Sequence, residues 1–562
     1  MDKRSFWIMT LVMVVILGWG YIAPAPETTS APTAAPSAAV PAVSGSPAAA
    51  PPATTSPMAK PATRQVTVTT PHYVAVFDER GGRLASFTLT DYHRRKLGAD
   101  LSAARMELIN QTNPADWPLL LRLTSPSAPP LEEAPFLAEA ESLKVAEGQT
   151  GHLTMTFQDQ SGLQVSRTYA FSGDTFLVGQ RVSLDNGGQH SLDGAVTMRI
   201  NTAPFSPANP SQYAGLGAYV NNSLLTEPAA DAGAALAKLR GKLVQADWVG
   251  YMDQYFLTAL VLPDRSETPG DSLPELAAVL QDHGGLAVAA SRTLNLIPGQ
   301  KAAFDFDFYY GPKNSRDLKA AGHNLAKSVD LGWFSFLAIP LASLLHFLYS
   351  LVGNYGLAII IVTILIKIVL WPLTAASYRS MKEMQKLTPK VAKLREKYAD
   401  DKEAMNREIM SLYKTYKVNP LGGCLPMLLQ IPFFIAFYRV LYSLLELRGA
   451  PFIFWIQDLS APDRLGALDF TIPFYEPPTG LPVLTILMGI SMVVQQKMTP
   501  TTMGDPTQAK IMMMMPVFFT IILINMPAGL VLYWLVNNIL SIVQQKLINR
   551  PAKPGAGAAG AR

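Results

Sequence analysis

Lys367 stands alone in an apolar run, Ile360-Ile361-Val362-Thr363-Ile364-Leu365-Ile366-Lys367-Ile368-Val369-Leu370-Trp371-Pro372. A charge in the middle of a membrane-crossing helix costs at least about 2.5–3.5 kcal/mol, so it needs water, a partner or a short way out. Two readings compete. In one, the side chain snorkels, because it lies about six residues, roughly 9 Å, from the inner end of its helix. In the other, it faces a water-filled cavity. Direction favours the second: the helix runs from outside to inside, and side chains lean toward a helix N-terminus, so the stem starts away from the inner surface. No carboxylate occurs in any of the apolar spans identified below, which leaves a buried ion pair without a candidate partner.

Other polar residues suit such a cavity. Thr363 precedes Lys367 by four residues and shares its face. Gln430 lies in the first half of another apolar run, and Asn537, Ser541 and Gln544 recur at spacings of 4 and 3 in the last one. Polar side chains also bind transmembrane helices to one another, and that alternative stays open. A cavity with water and one positive charge lowers the cost of taking a hydrophilic, preferably acidic, segment part-way into a bilayer. That is transfer without bond-making. The methionines Met512 to Met515, with Met488, Met492, Met498, Met503 and Met526, suit a surface that meets many apolar helices, or ordinary membrane packing.

Composition agrees with a bilayer. The 562 residues are 49% hydrophobic and 16% charged, where soluble domains carry about 25% charge. Overall disorder, a collagen-like fibre and a strongly basic nucleic-acid binder are excluded. The single Cys excludes a disulfide scaffold and any multi-cysteine metal site. The histidines are scattered, no metal-ligand cluster or nucleotide loop appears, and no carboxylate pair demands glycosidase chemistry. No cofactor is expected.

Residues 1–23 read as a retained signal-anchor, since the apolar run is long for a signal peptide and Pro24 and Pro26 crowd any cleavage site. Residues 24–63 are a linker in which 34 of 40 residues are Pro, Ala, Ser or Thr. Residues 64–330 alternate in short stretches. Tyr73 to Phe77, a turn through Gly81-Gly82, and Leu84 to Leu89 predict strand, turn, strand. Similar stretches recur at 153–157, 165–171, 176–184, 195–200, 255–262, 286–294 and 303–309, predicting an antiparallel β-sandwich. A helix is expected over 227–239.

Apolar runs follow, and loop charge sets their orientation. Residues 379–417 carry eleven Lys/Arg against six Asp/Glu, whereas 446–476 carry two against five. The positive-inside tendency keeps the basic loop in the cytosol only if 331–353 does not cross, so it is read as an interfacial helix with Ser335, Ser343, His346 and Ser350 on one face. A second transmembrane helix occupies 354–377, and spans at 421–445, 481–497, 510–526 and 529–545 complete the 419–550 segment. With the anchor these make six, with a basic tail at 551–562. Within 378–418, apolar residues at helical spacing on both sides of Ala399-Asp400-Asp401 predict a cytosolic helical hairpin, with Asp401 capping its second helix and Pro389 bending or dividing its first. It is either a solvated linker or a docking surface for anionic lipids or another cytosolic machine.

The chain resembles the YidC, oxidase-assembly and Albino family of membrane protein insertases. The resemblance rests on Asn354-Tyr355-Gly356, Trp371-Pro372-Leu373-Thr374, Asn419-Pro420-Leu421-Gly422-Gly423-Cys424, Pro426, Pro432, Leu447, Asp458-Leu459-Ser460, Gln496-Lys497-Met498, Asp505-Pro506, Gly529 to Tyr533 and Gln544-Gln545. It covers about 350–548 densely and the outer domain more loosely, best around Trp248 to Phe256. It implies five core helices around a hydrophilic groove, closed toward the periplasm and open to cytosol and lipid, in a bacterial inner membrane with both termini cytosolic. It further implies a large periplasmic sandwich with a fold akin to sugar-processing domains, no enzyme activity, and partnership with nascent inner-membrane proteins, the Sec translocon and sometimes ribosomes. The groove residues would be Lys367, Thr363, Gln430, Asn537, Ser541 and Gln544, with Trp371, Pro372, Gly422, Gly423, Pro432 and Tyr533 as motif and helix contacts. Lys367 stands where the family usually has arginine, keeping the charge but not the rigid fork. A small-solute transporter and a membrane-anchored sugar-binding protein are the alternatives.

Overall fold

A computed structural model describes residues 64–93, 105–205, 213–237, 246–262, 274–281, 285–398, 401–416, 418, 425–466, 475, 479–498 and 506–549. These fall in one compact unit, Ala62–Arg562. The expected anchor, the whole of the linker, the 419–424 motif and the 551–562 tail lie outside the described residues.

Alternating burial builds the outer domain as three sheets. In Leu163–Ser172, every second side chain is buried, as a strand with one face on a core requires. A nine-stranded sheet holds Ser223–Pro228 at one edge and Leu137–Ala138 at the other, with Lys301–Pro312 beside Leu177–Asn186 in its middle. A five-stranded sheet and a four-stranded sheet pack with it around one apolar core. Strand pairing is antiparallel except where Gln65–Thr69 meets Ser142–Lys144. Gly81 and Gly82 take φ of 72° and 60°, which is why the turn before Arg83–His93 needs glycine. The helix expected over 227–239 starts later: Ser223–Pro228 is a strand, and a 3-10 turn at Ala229–Asp231 leads into the α-helix Ala232–Ala237 (α1). Alanine-rich propensity yields to the pairing of that strand with Gly215–Val220.

Ser315–Ala321 (α2) leads from the sheets to the helical body, which comprises Ser335–Val352 (α3), Tyr355–Lys397 (α4), Lys402–Thr415 (α5), Leu425–Ser443 (α6), Val483–Met498 (α7), Pro506–Leu523 (α8) and Ala528–Asn549 (α9). Among the described residues, α3 and α4 are long and apolar enough to cross a membrane. α4 differs from expectation. It runs unbroken for 43 residues through Pro372 and Pro389, with no boundary at 377/378. Its length is about 64 Å. Pro389 does not divide it, because the apolar seam of Met381, Met384, Leu387 and Val391 stays buried on both sides of the proline. Asp401 caps α5, its Oδ1 accepting from the Glu403 and Ala404 amides at 3.1 and 2.9 Å.

The α3–α4 corner explains one sequence motif residue by residue. Gly353 ends α3 at φ 65°, where a side chain would be strained. Asn354 Oδ1 caps α4 by accepting from the Leu357 amide, while its Nδ2 donates to the Pro451 and Phe452 carbonyls. Tyr355 stacks on Tyr349 with centroids 3.9 Å apart. Gly356 lies under the Phe452 ring, which an added Cβ would meet at 2.0 Å. Gly356→Ala is therefore expected to pry the 451–456 loop from α4 and lower stability by about 1–3 kcal/mol; a thermal midpoint equal to that of the parent chain would refute the close contact.

On α3, Ala338, Leu341, Leu345 and Leu348 are buried. His346 Nδ1 donates to the Ala342 carbonyl at 2.8 Å, and Nε2 donates to Glu446 Oε1 at 3.3 Å. Both partners are acceptors, and the Glu446 hydrogen bond raises the imidazole pKa above its ordinary value. A raised folded-state pKa gives stability that is complete below the ordinary histidine value and lost as pH rises through the raised one. The pair is half-exposed, so the effect is small. A slight fall in thermal midpoint from mildly acid to alkaline pH is expected, absent in His346→Leu; an equal fall in both would remove His346 as its source.

Candidate functional site

The site lies at the seam between α4 and α9. Lys367 is 7% exposed. Its Nζ donates to Ser541 Oγ at 2.7 Å and to Asn537 Oδ1 at 3.3 Å. Both partners are neutral oxygens, so two of the three donor positions of the Lys367 head are satisfied without a counter-charge. Ser541 Oγ donates a hydrogen bond to the Asn537 backbone carbonyl at 2.8 Å, which leaves its lone pairs for the lysine. Ser541 also makes a hydrogen-bond contact with the Tyr378 side chain on the lower part of α4.

The seam continues toward the C-terminal ends of α4 and α9. Gln544 Nε2 donates to Thr374 Oγ1 at 2.7 Å and to the Trp371 carbonyl at 3.4 Å. Thr374 sits seven residues after Lys367, two turns along the same face. On the opposite side of α9, Asn538 Nδ2 donates to Ser491 Oγ at 2.9 Å and Gln545 Nε2 to the Met498 carbonyl at 2.7 Å. α9 thus carries two polar edges, one to α4 and one to α7.

The structure brings Lys367, Asn537 and Ser541 into direct contact, and Gln544 one turn below. Thr363 is buried but donates to the Ile359 carbonyl at 2.6 Å, within its own helix. Gln430 bonds to the Tyr533 hydroxyl. Tyr533 packs edge-on against Phe437 at 5.0 Å. Trp371 and Pro372 are exposed on α4, and Pro432 lies half-buried inside α6. Gly422 and Gly423 lie outside the described residues. Met513 and Met514 are each 63% exposed on α8, whereas Met488 is buried.

Tyr378, Ser491 and Asn538 belong to this polar system without having stood out in the sequence, and Thr374 and Gln545, visible there only as motif residues, belong to it too. The spacing of 7 between Asn538 and Gln545, and again between Lys367 and Thr374, was the signal available. Among the described residues no cluster of His, Cys, Asp and Glu is arranged to hold a metal ion. What the seam offers is a held positive charge inside an apolar body, flanked by neutral donors and acceptors that can exchange partners.

Comparison with known proteins finds a family described as "60Kd inner membrane protein" over residues 347–555 and one described as "YidC periplasmic domain" over residues 65–344. The chain is 40% identical over 562 residues to "Membrane protein insertase YidC" of Pelobacter propionicus, covering 98% of this chain and 99% of the relative. It is 40% identical over 567 residues to the protein of the same description in Nitratidesulfovibrio vulgaris (strain Hildenborough), covering 98% and 100%. The Geobacter metallireducens relative, again so described, is 38% identical over 563 residues, covering 98% of each.

Proposed function

The chain belongs to the YidC family of membrane protein insertases, and from that premise we propose that the Lys367–Asn537–Ser541 cluster is where this one receives the hydrophilic flank of a client. The protein is a multi-pass insertase and chaperone of the bacterial inner membrane with a large periplasmic sheet domain, and it is not an enzyme. Family membership sets aside the solute-transporter and anchored sugar-binding readings.

The observation that carries the proposal is the pairing of the ammonium with two neutral oxygens. A carboxylate would have held it permanently; a hydroxyl and an amide release it at smaller cost when an acidic client group arrives. The client's polar flank then trades water for Lys367, Asn537, Ser541 and Gln430. Its apolar part moves into lipid beside α4 and α6, and hydrophobic partitioning supplies the free energy without a nucleotide. The exposed Met513 and Met514 offer an adaptable surface for varied client helices.

The remaining architecture extends this reading. Six spans place both termini in the cytosol, with α3 lying on the outer membrane surface. The end of α4 and α5 form a cytosolic hairpin whose basic side faces anionic lipid heads or the Sec translocon and ribosome that deliver clients.

Photo-crosslinkers at Gln430 and Ser541 test the proposal on stalled client chains in inverted membranes. Crosslinks from both positions to the client's polar flank are expected. Crosslinks only from lipid-facing controls such as Ile368 would overturn the assigned route.

A further inference from the structure

A cleft of ≈ 280 Å³ opens where the α3–α4 corner meets the turn after α6. Its walls include Tyr349, Asn354, Tyr355, Glu446, Arg448 and Pro451. Glu446 is a carboxylate bridged to His346 at 3.3 Å. The Arg448 guanidinium lies over the Tyr255 and Phe256 rings of the sheet domain, 5.7 and 5.3 Å from their centroids, and the residue also lines the cleft. The stacked Tyr349 and Tyr355 present two aromatic rings. One acid, one base and an aromatic pair therefore share a small concave site.

The chain that leaves the cleft at Pro451 turns apolar. Phe452 is pinned against Gly356, and Trp455 Nε1 is pinned to Asp463 Oδ1 at 2.6 Å. Between the two pins Ile453 and Phe454 project outward, 46% and 80% exposed. Phe454 holds φ 54°, a left-handed conformation that is strained for an aromatic residue. On the other flank, Leu351 and Val352 at the end of α3 are also exposed. A polar cleft with an apolar skirt on both flanks matches a molecule with a charged head and two hydrocarbon chains.

We propose that this cleft binds a zwitterionic phospholipid of the outer leaflet, one whose headgroup carries both a phosphate and a primary ammonium. The phosphate pairs with Arg448, and the ammonium donates to Glu446 against the tyrosine rings. The acyl chains lie along Ile453, Phe454, Leu351 and Val352. A purely anionic headgroup would leave Glu446 only His346 as a partner and bring no cation of its own. A soluble phosphate ester would leave the skirt unused. The lipid would fasten the α3–α4 corner to the turn after α6 and so to the sheet domain, which reaches the end of α6 through Gln254 Nε2 donating to the Tyr442 carbonyl.

Native mass spectrometry of the full chain, stripped in detergent and supplied with defined lipids, tests this. Phosphatidylethanolamine is expected to be retained at least about fivefold over phosphatidylglycerol and phosphatidylcholine, with glycerophosphoethanolamine not retained. Glu446→Gln should abolish the preference over phosphatidylglycerol, and Arg448→Gln should weaken retention of all three lipids. The paired change Ile453→Ser with Phe454→Ser, remote from the charges, should lower retention of every lipid while keeping their order. Equal retention of the three lipids, an unchanged preference in Glu446→Gln, or retention of glycerophosphoethanolamine as strong as that of the lipid would each overturn the assignment.

Discussion

Lys367→Glu stops the insertion of single-span clients with acidic translocated segments, while Lys367→Arg keeps it. The expected loss is at least about tenfold, equivalent to roughly 1.4 kcal/mol of lost client–charge interaction. The reversal sets a carboxylate where an ammonium donates to Asn537 Oδ1 and Ser541 Oγ, so the site repels an acidic client. Arginine keeps the charge and adds a planar fork of donors, so it should serve acidic clients as well as lysine or better. Lys367→Gln, neutral but still polar, should fall between the two. Clients with neutral flanks should be much less affected by all three. Complementation of depleted cells and protease protection of reporter clients measure each case. Normal insertion of acidic clients by Lys367→Glu would remove electrostatics from the mechanism.

Asn537→Leu with Ser541→Ala destabilises the helical body, and adding Lys367→Met restores stability without restoring insertion. Hydrogen bonds to a charged group contribute about 1.5–3 kcal/mol each. Loss of both leaves a buried ammonium with no oxygen, an expected cost of about 3–5 kcal/mol. Methionine replaces the charge by an apolar side chain of similar length, and the seam closes again. Unfolding in detergent measures stability, and the insertion assay on the same variants separates holding the fold from serving clients. If the Asn537/Ser541 pair can be removed with no change in stability, water alone solvates the ammonium and the two residues have no positioning role.

The residues show where sequence reading reached its range. Period-2 alternation located Leu163–Ser172 and Leu286–Leu296 because each strand buries one face, a property written in the strand itself. Ala246–Met252 and Gly215–Val220 escaped because they are buried on both faces over most or all of their length and lack alternation. The Asn354-Tyr355-Gly356 motif was visible as a motif, but its purpose was not: the cap, the stack on Tyr349 and the fit under Phe452 involve partners up to 98 residues away. The stripe of Asn537, Ser541 and Gln544 was legible from spacing, yet its division between Lys367 and Thr374 depended on how α9 lies along α4.

By itself the sequence determined that the chain enters a bilayer, that an isolated lysine lies within one crossing, and that polar residues recur on one face of the last helix. These follow from hydropathy and helical period, which are local. Only the tertiary structure decided that the lysine is shared between an amide and a hydroxyl of α9, that Thr363 turns back to its own helix, and that Gln430 serves Tyr533. Each such choice is a competition among donors and acceptors brought together by packing, and composition along the chain carries no record of which neighbour wins.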